Sequence, residues 1–213
     1  MKKLHSFEIR DTNKTRNDIE NFLMKTKYKL DKFFKVKLPI PRCFLLNSRG
    51  QFNKIRGYKT EKWMVGWAED GNIFILKPEK FAKESDHKKE NFRKVLKHEC
   101  CHIYYHKLTN ISYPKWLNEG LACYLARQIK NKPDKKTALK VIDYYDRSDF
   151  RVFPIGYYWT RYLIKNYGKE KLLRLINFLK NRNGKVLKRQ FEIGFYKIYK
   201  FKFNKKELSL RYK

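Results

Sequence analysis

The sequence H-E-C-C-H at residues 98–102 most constrains the fold, because its chemistry requires an α-helix at this place in the chain. Residues four apart are neighbours on one helical face, so the imidazoles of His98 and His102 lie close enough to bind one metal ion. Zinc suits this pair of nitrogen ligands. Glu99 is rotated by about 100° from His98, which brings its carboxylate beside the ion without making it a ligand. The motif therefore predicts a zinc site with Glu99 as general base.

A catalytic zinc ion needs a third protein ligand, and two downstream residues compete for that place. His106 lies about 12 Å from His98 along a continuous helix, whereas zinc ligands lie about 2 Å from the ion, so His106 does not complete the set. Glu119 lies in W-L-N-E-G-L-A on the next predicted helix, and a helical hairpin would return its carboxylate to the two histidines. Two histidines and one glutamate leave a fourth position for water, which is typical of a catalytic rather than a structural zinc site.

The segments before the motif predict one helix and a small sheet. Apolar residues at helical spacing predict a helix over residues 14–34. The apolar run at 43–47 predicts a buried strand, followed by turn residues Ser48 and Gly50. Residues 63–76 form two apolar runs separated by Asp-Gly, a pair that tolerates positive φ angles, so they predict a β-hairpin.

The segments from the motif onward predict helices. One begins at about Asp86 and carries H-E-C-C-H, and a second, P-K-W-L-N-E-G-L-A-C-Y-L-A-R-Q-I, begins at Pro114. Further helices are predicted near 137–146, 155–167 and 169–180, the last two divided by Gly168, and at the end of the chain after the N-cap Asn204.

The predicted fold class is α+β, with a small mixed β-sheet. Residues 1–107 would form an N-terminal lobe with the sheet and the motif helix, and residues 108–213 an α-helical C-terminal lobe with the glutamate helix. No Ser/Gly-rich linker divides the chain, so both lobes belong to one catalytic domain.

The sequence K-H-E-C-C-H followed by P-K-W-L-N-E-G-L-A-C-Y-L-A resembles the gluzincin metallopeptidases, a large group with a shared zinc-peptidase architecture. The upstream order of helix, strand, S-R-G-Q-F segment, hairpin and metal helix is also similar, and the resemblance covers most of residues 15–180. It implies a zincin-like fold with a cleft between the lobes for a peptide or protein substrate. In it, His98, His102 and Glu119 match the ligand positions, and Glu99 matches the catalytic glutamate.

The resemblance also implies where substrate binds. In gluzincins an edge strand lines the cleft and pairs with extended substrate, and by order this strand is Trp63 to Ala68. Gly66, Trp67 and Ala68 are its predicted substrate-binding residues. The chain lacks the G-x-M-E-N motif with which related aminopeptidases grip a free amine, which favours endopeptidase action.

Two positions depart from the gluzincin pattern. Four residues after the ligand glutamate, a polar or acidic side chain often supports a ligating histidine, but this chain has Cys123. We interpret Cys123 as helix packing, with a weak Cys–His contact that tunes metal affinity as the alternative. Gluzincins often use a Tyr or His of the C-terminal lobe to stabilise the oxyanion, and here Phe153 stands where related chains tend to carry Tyr. Tyr157, with Tyr158 as the alternative, is therefore the candidate oxyanion donor.

The formal net charge of +31 creates a positive field that attracts nucleic acid, anionic membranes or acidic proteins. The lysines are spread along the whole chain, and no zinc-finger pair or RNA-recognition signature accompanies them. Weak nucleic-acid contact is therefore a secondary hypothesis. The alternative to a peptidase is a basic zincin-fold protein that contacts nucleic acid or a protein partner without proteolysis.

Export and membrane signals are weak in the sequence. The opening residues lack the apolar stretch of a secretory signal, and the longest apolar runs fall short of the roughly 20 residues that span a bilayer. The four cysteines form no C-x-x-C pair, which favours reduced thiols inside the cell. We therefore expect a soluble, cytoplasmic protein.

Overall fold

The computed structural model describes residues 13–180 and 188–212, with side chains described from residue 17 onward in those ranges. The opening residues, on which the expectation about a secretory signal rests, lie outside these described ranges. The chain divides into two compact units, Met1–Leu96 and Lys97–Lys213, and the division falls inside the helix that carries H-E-C-C-H. The lobes predicted from the sequence, residues 1–107 and 108–213, have a different boundary from these two units. The functional division into lobes stays a prediction.

The first unit contains a three-stranded mixed sheet, as the sequence predicts. Its strands are β1 (Arg42–Leu46), β2 (Gly66–Glu69) and β3 (Asn72–Leu76). The central strand β3 pairs parallel with β1 and antiparallel with β2, so β2 lies at an edge of the sheet. The predicted hairpin is confirmed: Asp70 and Gly71 join β2 to β3 with φ angles of 49° and 75°, the left-handed backbone of a tight hairpin turn.

Three helices accompany this sheet: α1 (Asn13–Phe34), α2 (Arg49–Arg56) and α3 (Pro78–Glu84). The sequence predicted α1 but only a turn at Ser48 and Gly50, where α2 begins. The Ser48 hydroxyl accepts a hydrogen bond from the Gln51 backbone N–H, and the Gln51 side chain accepts one from the backbone N–H of Asn47. S-x-x-Q is a known signature of a helix N-terminus, so the sequence did carry the signal for α2.

Helix α4 (Phe92–Thr109) follows a 3₁₀ turn and carries the H-E-C-C-H motif. Its start lies a few residues after the predicted Asp86. The remaining helices are α5 (Lys115–Leu125), α6 (Lys135–Ala138), α7 (Val152–Tyr167), α8 (Lys169–Phe178), α9 (Lys188–Tyr199) and α10 (Lys205–Arg211). Among the described helices, none combines the length and apolar character needed to cross a membrane.

Several predicted boundaries in the second unit are confirmed, and two are wrong. Gly168 divides α7 from α8, and Asn204 caps α10 by accepting a hydrogen bond from the Glu207 backbone N–H. The helix predicted near 137–146 is only a short α6 followed by a 3₁₀ turn. The helix predicted to run from Pro114 to Ile129 ends at Leu125. The fold class is nevertheless mixed α+β and mainly helical, as expected.

Helices α5 and α7 pack more extensively than any other described pair of elements in the second unit. Two glycines permit this close approach. A Cβ atom at Gly120 would lie 2.2 Å from the carbonyl oxygen of Gly156, and one at Gly156 would lie 2.2 Å from that of Trp116. Any larger side chain would separate the helices, so these glycines fix the position of the residue next to Gly120, which is Glu119.

Candidate metal centre

The structure brings together the side chains of His98, His102 and Glu119. The two histidines lie one turn apart on α4, and the glutamate lies on α5. One donor atom from each residue falls within 4.8 Å of the other two. The carboxylate oxygen Oε2 of Glu119 lies 3.1 Å from Nε2 of His98 and 3.4 Å from Nε2 of His102. His106, the competing ligand in the sequence, is exposed and outside this cluster.

The ring of His102 is oriented by the residue that precedes Glu119. Oδ1 of Asn118 lies 2.8 Å from Nδ1 of His102, and Nδ2 of Asn118 donates to the backbone carbonyl of Ser112. Because the amide nitrogen already faces a carbonyl, the amide oxygen must face the ring and accept the Nδ1–H. His102 is therefore held as the tautomer whose Nε2 lone pair faces Glu119.

The ring of His98 is oriented by a residue that the sequence analysis did not identify. Oε1 of Gln128 lies 2.9 Å from Nδ1 of His98. The thiol of Cys123 lies 3.9 Å from the same nitrogen and donates a weak hydrogen bond to the Gln128 oxygen. Cys123 is fully buried, as helix packing requires, and its Sγ also makes the weak contact with a histidine that was the alternative interpretation. The histidine partner that the sequence left open is thus a glutamine amide.

The arrangement of the three donors is suited to a cation between them. With both Nδ1 atoms protonated, two nitrogen lone pairs and a carboxylate oxygen face one another at hydrogen-bonding distance, which is repulsive unless protons or a metal ion lie between them. Burial opposes the charged histidines, but Cys123 and Glu119 raise the pKa of His98 well above its usual value, and Glu119 raises that of His102. Burial also opposes ionisation of Glu119, yet the two histidines lower its pKa. Protons between the donors would relieve the same repulsion when no metal ion is bound.

Glu99 is buried on α4, with 7% of its surface exposed. Burial raises the pKa of its carboxyl group, while the charges of His102 and His98 lower it and that of Glu119 raises it. These interactions place Glu99 in the electrostatic field of all three donors. No hydrogen bond joins its carboxylate to another residue in the described part of the chain. Neither Glu99 oxygen is among the fully buried polar atoms that lack a partner, so the carboxylate retains some access to solvent although the residue is mostly buried.

The oxyanion candidates lie on α7. Phe153, which begins this face of the helix, has its ring centroid 6.1 Å from that of His98, and the Lys130 ammonium lies 5.5 Å from the Phe153 ring. A phenylalanine has no hydroxyl to donate. Tyr157 lies one turn later and is mostly buried, whereas the Tyr158 ring packs 5.3 Å from that of Tyr212. Both tyrosines are packed against neighbouring residues, so Tyr157 stays the predicted donor and Tyr158 its alternative.

Gly66, Trp67 and Ala68, the predicted substrate-binding residues, all lie in the edge strand β2 of the first unit. The Trp67 side chain is packed into the sheet, stacked 4.6 Å from Phe74 with Phe52 against its edge. Strand addition uses backbone groups, which an edge strand offers. Their role in binding substrate stays a prediction.

Comparison with known proteins adds no family to this geometry. No protein-family model matches the chain, and no curated protein matches it significantly. The residues of the site are therefore the basis on which a function is proposed.

Proposed function

We propose that this protein is a zinc-dependent peptidase of the gluzincin type with a zincin-like fold. In this proposal His98, His102 and Glu119 hold the ion, and Glu99 is the general base. The observation that carries it is the convergence of two Nε2 atoms on one carboxylate oxygen, with each Nδ1 turned towards a side-chain amide. An ordinary buried ion pair needs no such arrangement of two rings on one carboxylate.

The three donors suit zinc better than the other common ions. Mg²⁺ and Ca²⁺ prefer oxygen ligands, whereas two imidazoles and one carboxylate are a frequent zinc set. The partly open side chains of His102 and Glu119 retain 17% and 15% of their exposure, which leaves an approach for water and substrate. Three protein ligands with an open fourth position are typical of a catalytic zinc site.

A zinc ion bound here would supply a Lewis acid that polarises the scissile carbonyl and favours deprotonation of the attacking water. Glu99 takes that proton on its carboxylate and gives it to the leaving amine nitrogen, so one group acts first as base and then as acid. Its buried environment, which raises its pKa, makes the protonated intermediate state of Glu99 accessible. Tyr157 donates a hydrogen bond to the developing oxyanion, and the edge of β2 pairs with an extended peptide.

Metal analysis combined with a peptide-library cleavage assay tests this proposal. The wild type should bind one zinc ion and cleave internal peptide bonds. Glu99→Gln should keep the zinc but lose at least a factor of about 10²–10⁴ in turnover, because the general base is gone. The matched control is Glu90→Gln, an exposed glutamate before α4 that should change neither.

Three outcomes would contradict the proposal. A wild type that binds no zinc contradicts the metal site, and unchanged turnover in Glu99→Gln contradicts the general base. Salt-sensitive nucleic-acid binding by the zinc-loaded protein, without cleavage of any library peptide, would instead favour the basic binding protein.

A further inference from the structure

We propose that Gln128 is the positioning residue for His98, a role that rests on the proposed metal site. Its amide oxygen accepts the Nδ1–H of His98 at 2.9 Å and so keeps the Nε2 lone pair turned towards Glu119 and the ion. Metal-binding histidines commonly donate their second N–H to such a partner, which fixes both the tautomer and the ring orientation.

The end of α5 explains how a residue this far from Glu119 reaches the site. Two hydrogen bonds close the helix, from the Gln128 N–H to the Cys123 carbonyl and from the Arg127 N–H to the Tyr124 carbonyl. Arg127 between them has a φ of 55°. This is the Schellman arrangement, which reverses the chain after the last helical turn. The reversal places Gln128 beside Cys123, and its side chain lies where it meets the His98 ring.

The buried thiol of Cys123 helps to decide which end of the Gln128 amide faces His98. It donates to Oε1 at 3.5 Å, so two hydrogen atoms favour the oxygen at this position. If the amide were reversed, its NH₂ group would donate to Nδ1 and the ring proton would move to Nε2. A proton there would occupy the metal-binding lone pair. The orientation of one amide therefore sets whether His98 is able to bind a metal ion.

Each of the two histidines has a side-chain amide oxygen next to its Nδ1 atom. Asn118 holds His102 through its amide oxygen, as Gln128 holds His98. The Asn118 amide is anchored by the Ser112 carbonyl, whereas the Gln128 amide is anchored by the Cys123 thiol. A thiol is a weaker hydrogen-bonding partner than a carbonyl, so the Gln128 amide is held less firmly than the Asn118 amide.

Gln128→Met tests the role, because methionine has a similar length and no strong acceptor. Zinc affinity, measured by chelator competition, should fall about 10- to 100-fold. Gln128→Glu retains an acceptor and should bind zinc nearly as well as the wild type, whereas a purely steric role for Gln128 would leave zinc affinity nearly unchanged in both variants. The matched control is Gln190→Met, an exposed glutamine on α9, which should leave affinity unchanged.

Long-range ¹H–¹⁵N NMR of the imidazoles supplies a second readout that needs no metal. The Nδ1–H of His98 should exchange slowly with water in the wild type, where Gln128 accepts it, and faster in Gln128→Met. A Gln128→Met variant with wild-type zinc affinity and unchanged exchange of this proton would overturn the inference. A wild type without zinc binding would refute the metal site, and the exchange of the Nδ1–H would still test Gln128 by itself.

Discussion

Replacing Gly120 with alanine should damage both stability and metal binding, because the glycine lets α5 approach α7. The new Cβ would lie 2.2 Å from the Gly156 carbonyl oxygen and 2.6 Å from the Thr160 hydroxyl. Ordinary contact needs more than 3 Å, so α5 must move by roughly 1 Å. Overpacking costs about 1–3 kcal/mol, and the higher helix propensity of alanine offsets about 1 kcal/mol. Two clashes, one of them with backbone, place the net loss near 2 kcal/mol.

The same movement carries Glu119, the next residue in the chain, away from the histidines. Zinc–ligand distances tolerate only about 0.2 Å, so a shift of about 1 Å should also weaken zinc binding. Thermal unfolding should show a Tm lower by about 4–8 °C, and chelator competition should show the lost affinity. Gly50→Ala is the control: its Cβ meets only the Ser48 hydroxyl at 3.7 Å, so it should be neutral or stabilising. Wild-type stability and zinc affinity in Gly120→Ala would refute the packing argument.

Two further predictions concern the metal and pH. Zinc at 100 times its Kd should stabilise the wild type by about 2.7 kcal/mol in a thermal-shift assay, and EDTA or His102→Ala should abolish that shift; a shift surviving in His102→Ala would contradict the ligand set. Hydrogen bonds from Arg151 and Tyr144 lower the pKa of Asp149. Its contribution to stability should therefore be complete above about pH 4 and lost at lower pH, so urea unfolding should show wild type and Asp149→Asn converging in acid; a constant difference would contradict this.

Local signals predicted the parts of the fold that depend on neighbouring residues. The hairpin was readable because Asp70 and Gly71 tolerate positive φ angles, and the motif helix because the spacing of its histidines is helical. Helix α2 was missed although Ser48 and Gln51 carry its N-terminal signal, since Gly50 suggested a turn instead. Gly50 lies within α2, where a Cβ atom would meet only the Ser48 hydroxyl at 3.7 Å, so this glycine does not interrupt the helix.

The support of His98 was not readable from the sequence. A glycine usually marks the residue at which a helix ends in the left-handed conformation, but here Arg127 takes that conformation. Because no glycine marks this end, the apolar spacing predicted a helix as far as Ile129. A helix of that length would have carried Gln128 away from His98. The close packing at Gly120 and Gly156 was hidden for a different reason, because it depends on two helices meeting and not on either one.

One electrostatic argument explains why neutral amides, those of Asn118 and Gln128, support the histidines beside the carboxylate of Glu99. A divalent ion at the proposed site would face two carboxylates, Glu119 as ligand and Glu99 nearby, and their charges together neutralise it. Carboxylates in place of Asn118 and Gln128 would add two negative charges to a largely buried site and would raise the pKa of Glu99 further, until it held its proton too firmly to act as a base. The amides orient the histidines without adding charge. At the proposed metal site, neutral support of the histidines would therefore keep Glu99 ionisable although it is mostly buried.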